Sequence, residues 1–161
     1  MISKALAILS LLIFTTFAFV SPNDDKEIES VLTTQSKCWN DGDIDGFMQT
    51  YWKSEDLTFS GGGKMTRGWD QTLARYKKSY PKGEMGTLTF DELEVTMLSE
   101  EAALVLGNWH LSIPQKDAEE DSKVGGNFSL VLRKLEGSWK IIHDHSSTLE
   151  EEIDKEEKPE H

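Results

Sequence analysis

The spacing of apolar and polar positions changes period near the middle of the chain. From Asp24 to Trp39 the apolar residues Ile28, Val31, Leu32, Cys38 and Trp39 follow helical spacing, and Ile44, Phe47, Met48, Tyr51 and Trp52 continue at i, i+3, i+4, i+7 and i+8. The pattern predicts two amphipathic helices, with Asn40-Asp41-Gly42 closing the first and the Asp43 carboxylate capping the second. A third helix is expected from near Arg67 to Tyr80, with Trp69, Leu73, Tyr76 and Tyr80 on one face and Pro81 stopping it. Ahead of it, Leu57 to Ser60 reads as a short strand that runs into the flexible Gly61-Gly62-Gly63.

From Gly86 onward the period is two. Leu88 and Phe90 lie in one phase and Leu93, Val95 and Met97 in the other, which predicts a bulge around Asp91 and Glu92. Ser99-Glu100-Glu101 turns the chain into Ala102 to Ile113, where Val105, Trp109, Leu111 and Ile113 mark one face. A charged loop, Gln115 to Lys123, precedes a strand over Gly126 to Leu135, and Glu136-Gly137 turns it into a closing strand over Ser138 to Ser147. Long strands joined by turns imply an antiparallel sheet, so the fold class is α+β.

The ends of the chain carry different signals. Lys4 followed by the apolar run Ala5 to Val20, with Thr16 and Ala18 as small residues, reads as a signal peptide over 1–18, cleaved after Ala18. The alternative is that the run stays as a membrane anchor, but it is shorter than a span usually takes, so no stable span is expected in the mature chain and a secreted or periplasmic location is favoured. Residues 149–161 are dominated by Glu, Asp and Lys and read as an acidic disordered tail. With 161 residues, the chain has material for one domain, placed at 24–148. A net charge of −12, with 17 Lys and Arg that form no basic run, argues against a nucleic-acid partner. The single cysteine, Cys38, has no intramolecular disulfide partner and reads as a packing residue.

Several fragments together carry a family likeness. Cys38-Trp39-Asn40-Asp41-Gly42-Asp43 with Phe47-Met48 and Tyr51-Trp52, Arg67-Gly68-Trp69 with Tyr76, Gly107-Asn108-Trp109, and Gly137-Ser138-Trp139-Lys140-Ile141-Ile142 with Asp144-His145-Ser146 are spread over nearly all of 24–148. In this order of elements the chain resembles the nuclear transport factor 2-like superfamily, in its SnoaL-like and ketosteroid-isomerase-like branches. The resemblance implies a cone-shaped fold: N-terminal helices packed in a strongly bent antiparallel sheet around an apolar cavity, and frequent dimerisation through that sheet. The superfamily hosts isomerases, cyclases, dehydratases, hydrolases and non-catalytic association modules, so the fold alone does not choose a reaction. The general base of the steroid-isomerase branch has no match around Asp43, Asp45 or Asp91, and no catalytic aspartate is carried over.

The closing strand holds the densest chemistry. Strict alternation puts Trp139, Ile141, His143 and His145 on one face and Lys140, Ile142, Asp144 and Ser146 on the other. An imidazole titrates near neutral pH, so either histidine could act as acid or base. The resemblance singles out His145, which belongs to one of its fragments, as the candidate catalytic residue, with His143 lining the same wall; the bland alternative is one hydrogen-bonding wall histidine and one surface histidine. Tyr51, Arg67 and Trp69 complete the expected ligand-binding set, Arg67 by pairing with an anionic group or by bracing a carboxylate of the fold. A His-x-His pair with His110 could chelate a metal, but no third ligand has a diagnostic spacing, and neither metal nor cofactor is expected.

Three local motifs have plainer explanations. Asp41 to Gly46 imitates half of a calcium loop whose twelfth position is Trp52 instead of Glu. Gly61 to Thr66 lacks the full spacing of a phosphate loop. Asn127-Phe128-Ser129 has the form of a glycosylation sequon in a strand-like setting. The sequence predicts a secreted domain, and the resemblance adds that it is homodimeric with an apolar cone pocket, expected to bind a small, partly apolar molecule. Two functions stay open: an isomerase- or hydrolase-type enzyme using His145, or a non-catalytic binding or dimeric association module.

Overall fold

The computed structural model describes residues 23–115 and 121–149. The expected signal peptide, most of the expected tail and the middle of the charged loop lie outside the described residues.

The N-terminal helix α1 spans Asp24–Asn40 and buries Asp24, Ile28, Leu32, Gln35 and Trp39. These recur every three or four residues, so they form one stripe against the sheet. Lys134 donates to Asp24 Oδ1 at 2.6 Å and the Trp139 indole N–H to the same oxygen at 3.3 Å, fixing the start of the helix to the sheet. At the other end, Asn40 exchanges two hydrogen bonds with the backbone of Leu88, at 3.1 and 2.7 Å.

Helix α2 is only Ile44–Met48, shorter than the apolar pattern predicts. Asp43 caps it as expected, accepting from the Gly46 N–H at 2.8 Å. It stops because the backbone beyond it is captured by a strand: Ile141 N–H donates to Thr50 O at 3.0 Å and Trp52 N–H to Ile141 O at 2.9 Å. Tertiary pairing here overrides helical periodicity. The third helix, α3, covers Trp69–Ser79 and starts two residues later than expected.

The first of those residues, Arg67, ends a strand that the apolar pattern does not show, and Gly68 is the N-cap of the helix. β1 (Thr58–Gly61) and β2 (Lys64–Arg67) form a hairpin with Gly61 opposite Lys64. Gly62 and Gly63 both have positive φ, 54° and 70°, as a two-residue primed turn requires. β2 is almost wholly exposed and so lacks apolar alternation.

The long strands are β3 (Thr87–Ser99), β4 (Ala102–Ile113), β5 (Ser122–Leu135) and β6 (Ser138–Ser146). They form one six-stranded sheet in the order β2-β1-β6-β5-β4-β3. All neighbours are antiparallel except β1 and β6, which run parallel. This open, curved sheet packs the helices on its concave side, and Ile28, Leu32, Trp39, Met48, Val105, Leu132 and Ile141 are among the core residues between them. The bulge predicted around Asp91 and Glu92 is present: the register steps from Asp91/Asn108 to Glu94/Leu106, and Glu92 takes a φ of 49°.

A second bulge, which strict alternation misses, lies in β6. His143 pairs with Val131 and Ile141 with Leu132, leaving Ile142 as an extra residue. One inserted residue exchanges the faces of everything beyond it.

Candidate functional site: a cone cavity with a buried carboxyl

The bulge at Ile142 decides which chemistry enters the cone. Trp139 and Ile141 point inward before it, and after it Asp144 is the buried residue while His145 is exposed. The expectation that both histidines share the face of Trp139 is therefore corrected. His143 is half-buried and shares a 2.6 Å hydrogen bond through Nδ1 with Thr58 Oγ1, and neither imidazole lines the cavity.

The cavity has a volume of about 250 Å³. Its walls are mainly aromatic. Trp39 packs edge-on to Tyr80 at 4.6 Å and to Phe47 at 5.3 Å, Phe59 lies 5.3 Å from Tyr76, and Phe90 crosses Phe128 at 5.5 Å. Such offset and edge contacts are favourable ring geometries, so the walls are held in place by one another. The rings frame the space without filling it.

Polar groups enter this wall at a few points. Asp144 is 4% exposed and accepts from the Tyr51 hydroxyl at 2.6 Å and from Ser146 Oγ at 2.9 Å. Each carboxylate oxygen has two lone pairs, so both keep an acceptor site free. Burial pushes the Asp144 carboxyl up from its ordinary value; the Tyr51 and Ser146 hydroxyls and the nearby imidazoles pull partly the other way. Burial and the adjacent Asp144 carboxylate also hold the Tyr51 and Tyr76 hydroxyls well above the usual tyrosine range, so both are proton donors at neutral pH. Tyr76 and Ser146 line the cavity with Asp144, and Tyr51 supports the carboxylate from behind the wall.

Other polar side chains line the cavity, Gln35 and Arg75 among them. Gln35 sits in the buried stripe of α1, and among the described residues its Nε2 has no hydrogen-bond partner. Arg75, on α3, lines the space beside Gly61 and Gly62 with its guanidinium 4.7 Å from the Phe59 ring.

The remaining expected ligand residues lie elsewhere. Arg67 is exposed at the end of β2, and Trp69 is buried at the start of α3 with its indole N–H donating to Met48 O at 2.8 Å. Both border a separate surface depression with Lys53, Glu55 and Asp70. His110 faces Asp91, 3.0 Å away, and among the described residues no three His, Cys, Asp or Glu side chains are grouped to hold a metal ion.

A family model described as the SnoaL-like domain matches residues 28–151. The chain belongs to the SnoaL-like family. It is also similar to the crystal structure of a nuclear transport factor 2-like protein of unknown function from Shewanella oneidensis: 41% identity over 77% of this chain and 98% of that one, with a TM-score of 0.68. Two more distant structures share the fold. One is a nuclear transport factor 2-like superfamily protein from Salmonella enterica serovar Typhimurium, at 18% identity over 84% of this chain and 98% of that one, TM-score 0.68. The other is a ketosteroid isomerase-like protein from Erwinia carotovora atroseptica, at 21% identity over 81% of this chain and 100% of that one, TM-score 0.66. No curated protein matches the SnoaL-like chain.

Two signals for this site were present in the sequence. Gln35 is the one uncharged polar residue on the stripe Asp24, Ile28, Leu32, Gln35, Trp39, and Asp144 belongs to one of the fragments that carry the family likeness. Arg75 has no such mark: it is one basic residue on a largely exposed helix.

Proposed function

We propose that this SnoaL-like domain binds a small, partly apolar molecule inside the cone and that Asp144, in place of His145, exchanges a proton with it. The observation that carries the reading is a buried carboxyl on the wall of an aromatic cavity, held by Tyr51 and Ser146 with acceptor capacity left over. A carboxylate raised by burial is a stronger base than a solvated one and can take a proton from a carbon next to a carbonyl. Tyr76, a donor on the same wall, is suited to the oxygen on which charge then develops. Returning the proton at another carbon would complete an isomerisation. Membership in a fold shared with a ketosteroid isomerase-like protein agrees with this class of chemistry.

Butyrophenone, a neutral aryl ketone, tests the reading. Binding in the cone shifts the indole N–H signals of Trp39 and Trp109, which line the cavity, and leaves those of Trp52 and Trp69 in place. Deuterium should enter the carbon next to the carbonyl faster than in buffer, and Asp144→Asn should remove that acceleration while His145→Ala keeps it. Equal exchange in wild type and Asp144→Asn would contradict the assignment.

A second reading concerns assembly. Leu106 and His145 share the convex face through Ser129, Leu106 is 40% exposed, and the half-buried Leu104 and Val131 pair beside them on the same face. An apolar strip of this kind supports a homodimer formed through the sheet. Leu106→Glu should then convert a dimer to a monomer in sedimentation. Export to a secreted or periplasmic location belongs to the same proposal and rests on residues 1–18; N-terminal sequencing of the exported protein, expected to begin after Ala18, tests it.

A further inference from the structure

Gln35 is 2% exposed, yet among the described residues its Nε2 has no hydrogen-bond acceptor. A buried amide donor without a partner is costly, and few are retained in native structures without a reason. The same stripe position would accept a leucine, since Ile28 and Leu32 precede it and Trp39 follows. Asp144 is the opposite case: both of its oxygens already accept hydrogen bonds within the protein. The unmet demand in the cavity wall is therefore for an acceptor at Gln35.

Arg75 supplies a second unmet demand. A guanidinium has five N–H donors. Arg75 uses three, from Nη1 to Lys64 O at 3.0 Å and Thr66 Oγ1 at 2.9 Å, and from Nη2 to Gly61 O at 2.6 Å. All three acceptors are neutral, and among the described residues Arg75 forms no ion pair. Among the described residues it is the one cation lining the cavity, in a chain with a net charge of −12. An unneutralised guanidinium in a wall of rings is suited to a carboxylate.

We propose that the ligand of this cavity is a small oxo- or hydroxy-carboxylate on an apolar body, its carbonyl or hydroxyl oxygen accepting from Gln35 Nε2 and its carboxylate meeting Arg75. This rests on the reading of the cone as a ligand-binding cavity and adds to it the chemical class of the ligand. Arg75 sets charge preference and Gln35 selects for oxygen on the body. Both touch the ligand without taking part in proton transfer.

Three matched probes separate these roles: 4-oxo-4-phenylbutanoate, which has both groups, 4-phenylbutanoate, which lacks the carbonyl, and butyrophenone, which lacks the carboxylate. In calorimetric titrations of the wild type, the oxo-acid should bind about tenfold or more tightly than either of the others. Gln35→Leu should weaken the oxo-acid to the level of 4-phenylbutanoate, leave 4-phenylbutanoate unchanged, and raise the melting temperature of the free protein by several degrees. Arg75→Lys should keep most of the preference for acids, whereas Arg75→Met should abolish it. Because Arg75 also braces the β1–β2 hairpin, butyrophenone binding by Arg75→Met serves as the control that the cone is intact. If butyrophenone binds the wild type and the acids bind no better, or if Gln35→Leu lowers the melting temperature and leaves probe affinities unchanged, the assignment of ligand class is overturned and the cavity reading survives. If none of the three probes binds the folded wild type, both are overturned.

Discussion

On the inner face of β6, Asp144 is buried with both oxygens hydrogen-bonded; one residue later, on the outer face, His145 is exposed to solvent. Both side chains can carry protons, but their surroundings differ. Water stabilises a charge on the outer face whatever its sign. Inside the cone, a charge depends on Tyr51, Ser146 and whatever occupies the cavity. Burial raises the proton affinity of Asp144 and couples it to whatever occupies the cavity. Which group received that position was decided by one unpaired residue, Ile142, and not by the order of types along the strand.

The contrast is broken most directly by exchanging chemistry between the faces. Asp144→Asn is expected to lower proton exchange into a bound aryl ketone by roughly 10²- to 10⁴-fold, the usual contribution of a positioned acid or base. His145→Ala should leave the rate within about twofold of wild type by the same measure of a group outside the reacting site. A large loss from His145→Ala would return the active role to the outer face.

Stability gives a second way to sharpen it. Ile141 is fully buried on the inner side, and Ile141→Ala should cost about 2–5 kcal/mol in denaturant unfolding through lost burial and the cavity left behind. Gln35→Leu should act in the opposite direction and stabilise the free protein by about 1–3 kcal/mol, because it removes an unsatisfied buried donor. A binding residue that costs stability when the cavity is empty is expected of a functional site.

The pH dependence of stability follows from the raised carboxyl of Asp144. Between the ordinary carboxylate value and the raised one, the folded chain holds more protons than the unfolded chain, so stability falls as pH rises. The contribution is fully present in acid below the unfolded value and is lost as pH rises through the native one. Denaturant midpoints across the acidic range should therefore decline more steeply in wild type than in Asp144→Asn. The smallest effect is expected for His145→Ala, within about 0.5 kcal/mol of wild type, as for other exposed positions.

Most of the fold was legible in the sequence because it rests on periodicity. The stripe of α1, the Asp43 cap and the phase change in β3 all appear as spacing of apolar residues or as turn chemistry. What escaped depends on partners distant in sequence. α2 ends early because β6 takes its backbone, and β2 is invisible because an exposed strand has no apolar alternation. The candidate site was displaced for the same reason. Register belongs to a pair of strands, so the bulge opposite Val131 and Leu132 cannot be read from β6 alone, and it moved the histidines outward and Asp144 inward. Tyr51 was placed near the ligand by its sequence and lies beside Asp144, whereas Arg67 and Trp69 face a different surface.

The most direct test of the central claim is a carbon-detected NMR titration of the Asp144 carboxyl, in the free protein and with butyrophenone bound. The account predicts a midpoint above the ordinary carboxylate range in the free protein, moved further when the cavity is filled, with the His145 ring indifferent to the ketone. An Asp144 midpoint in the ordinary range that ignores the ketone, with the His145 ring responding instead, would contradict it.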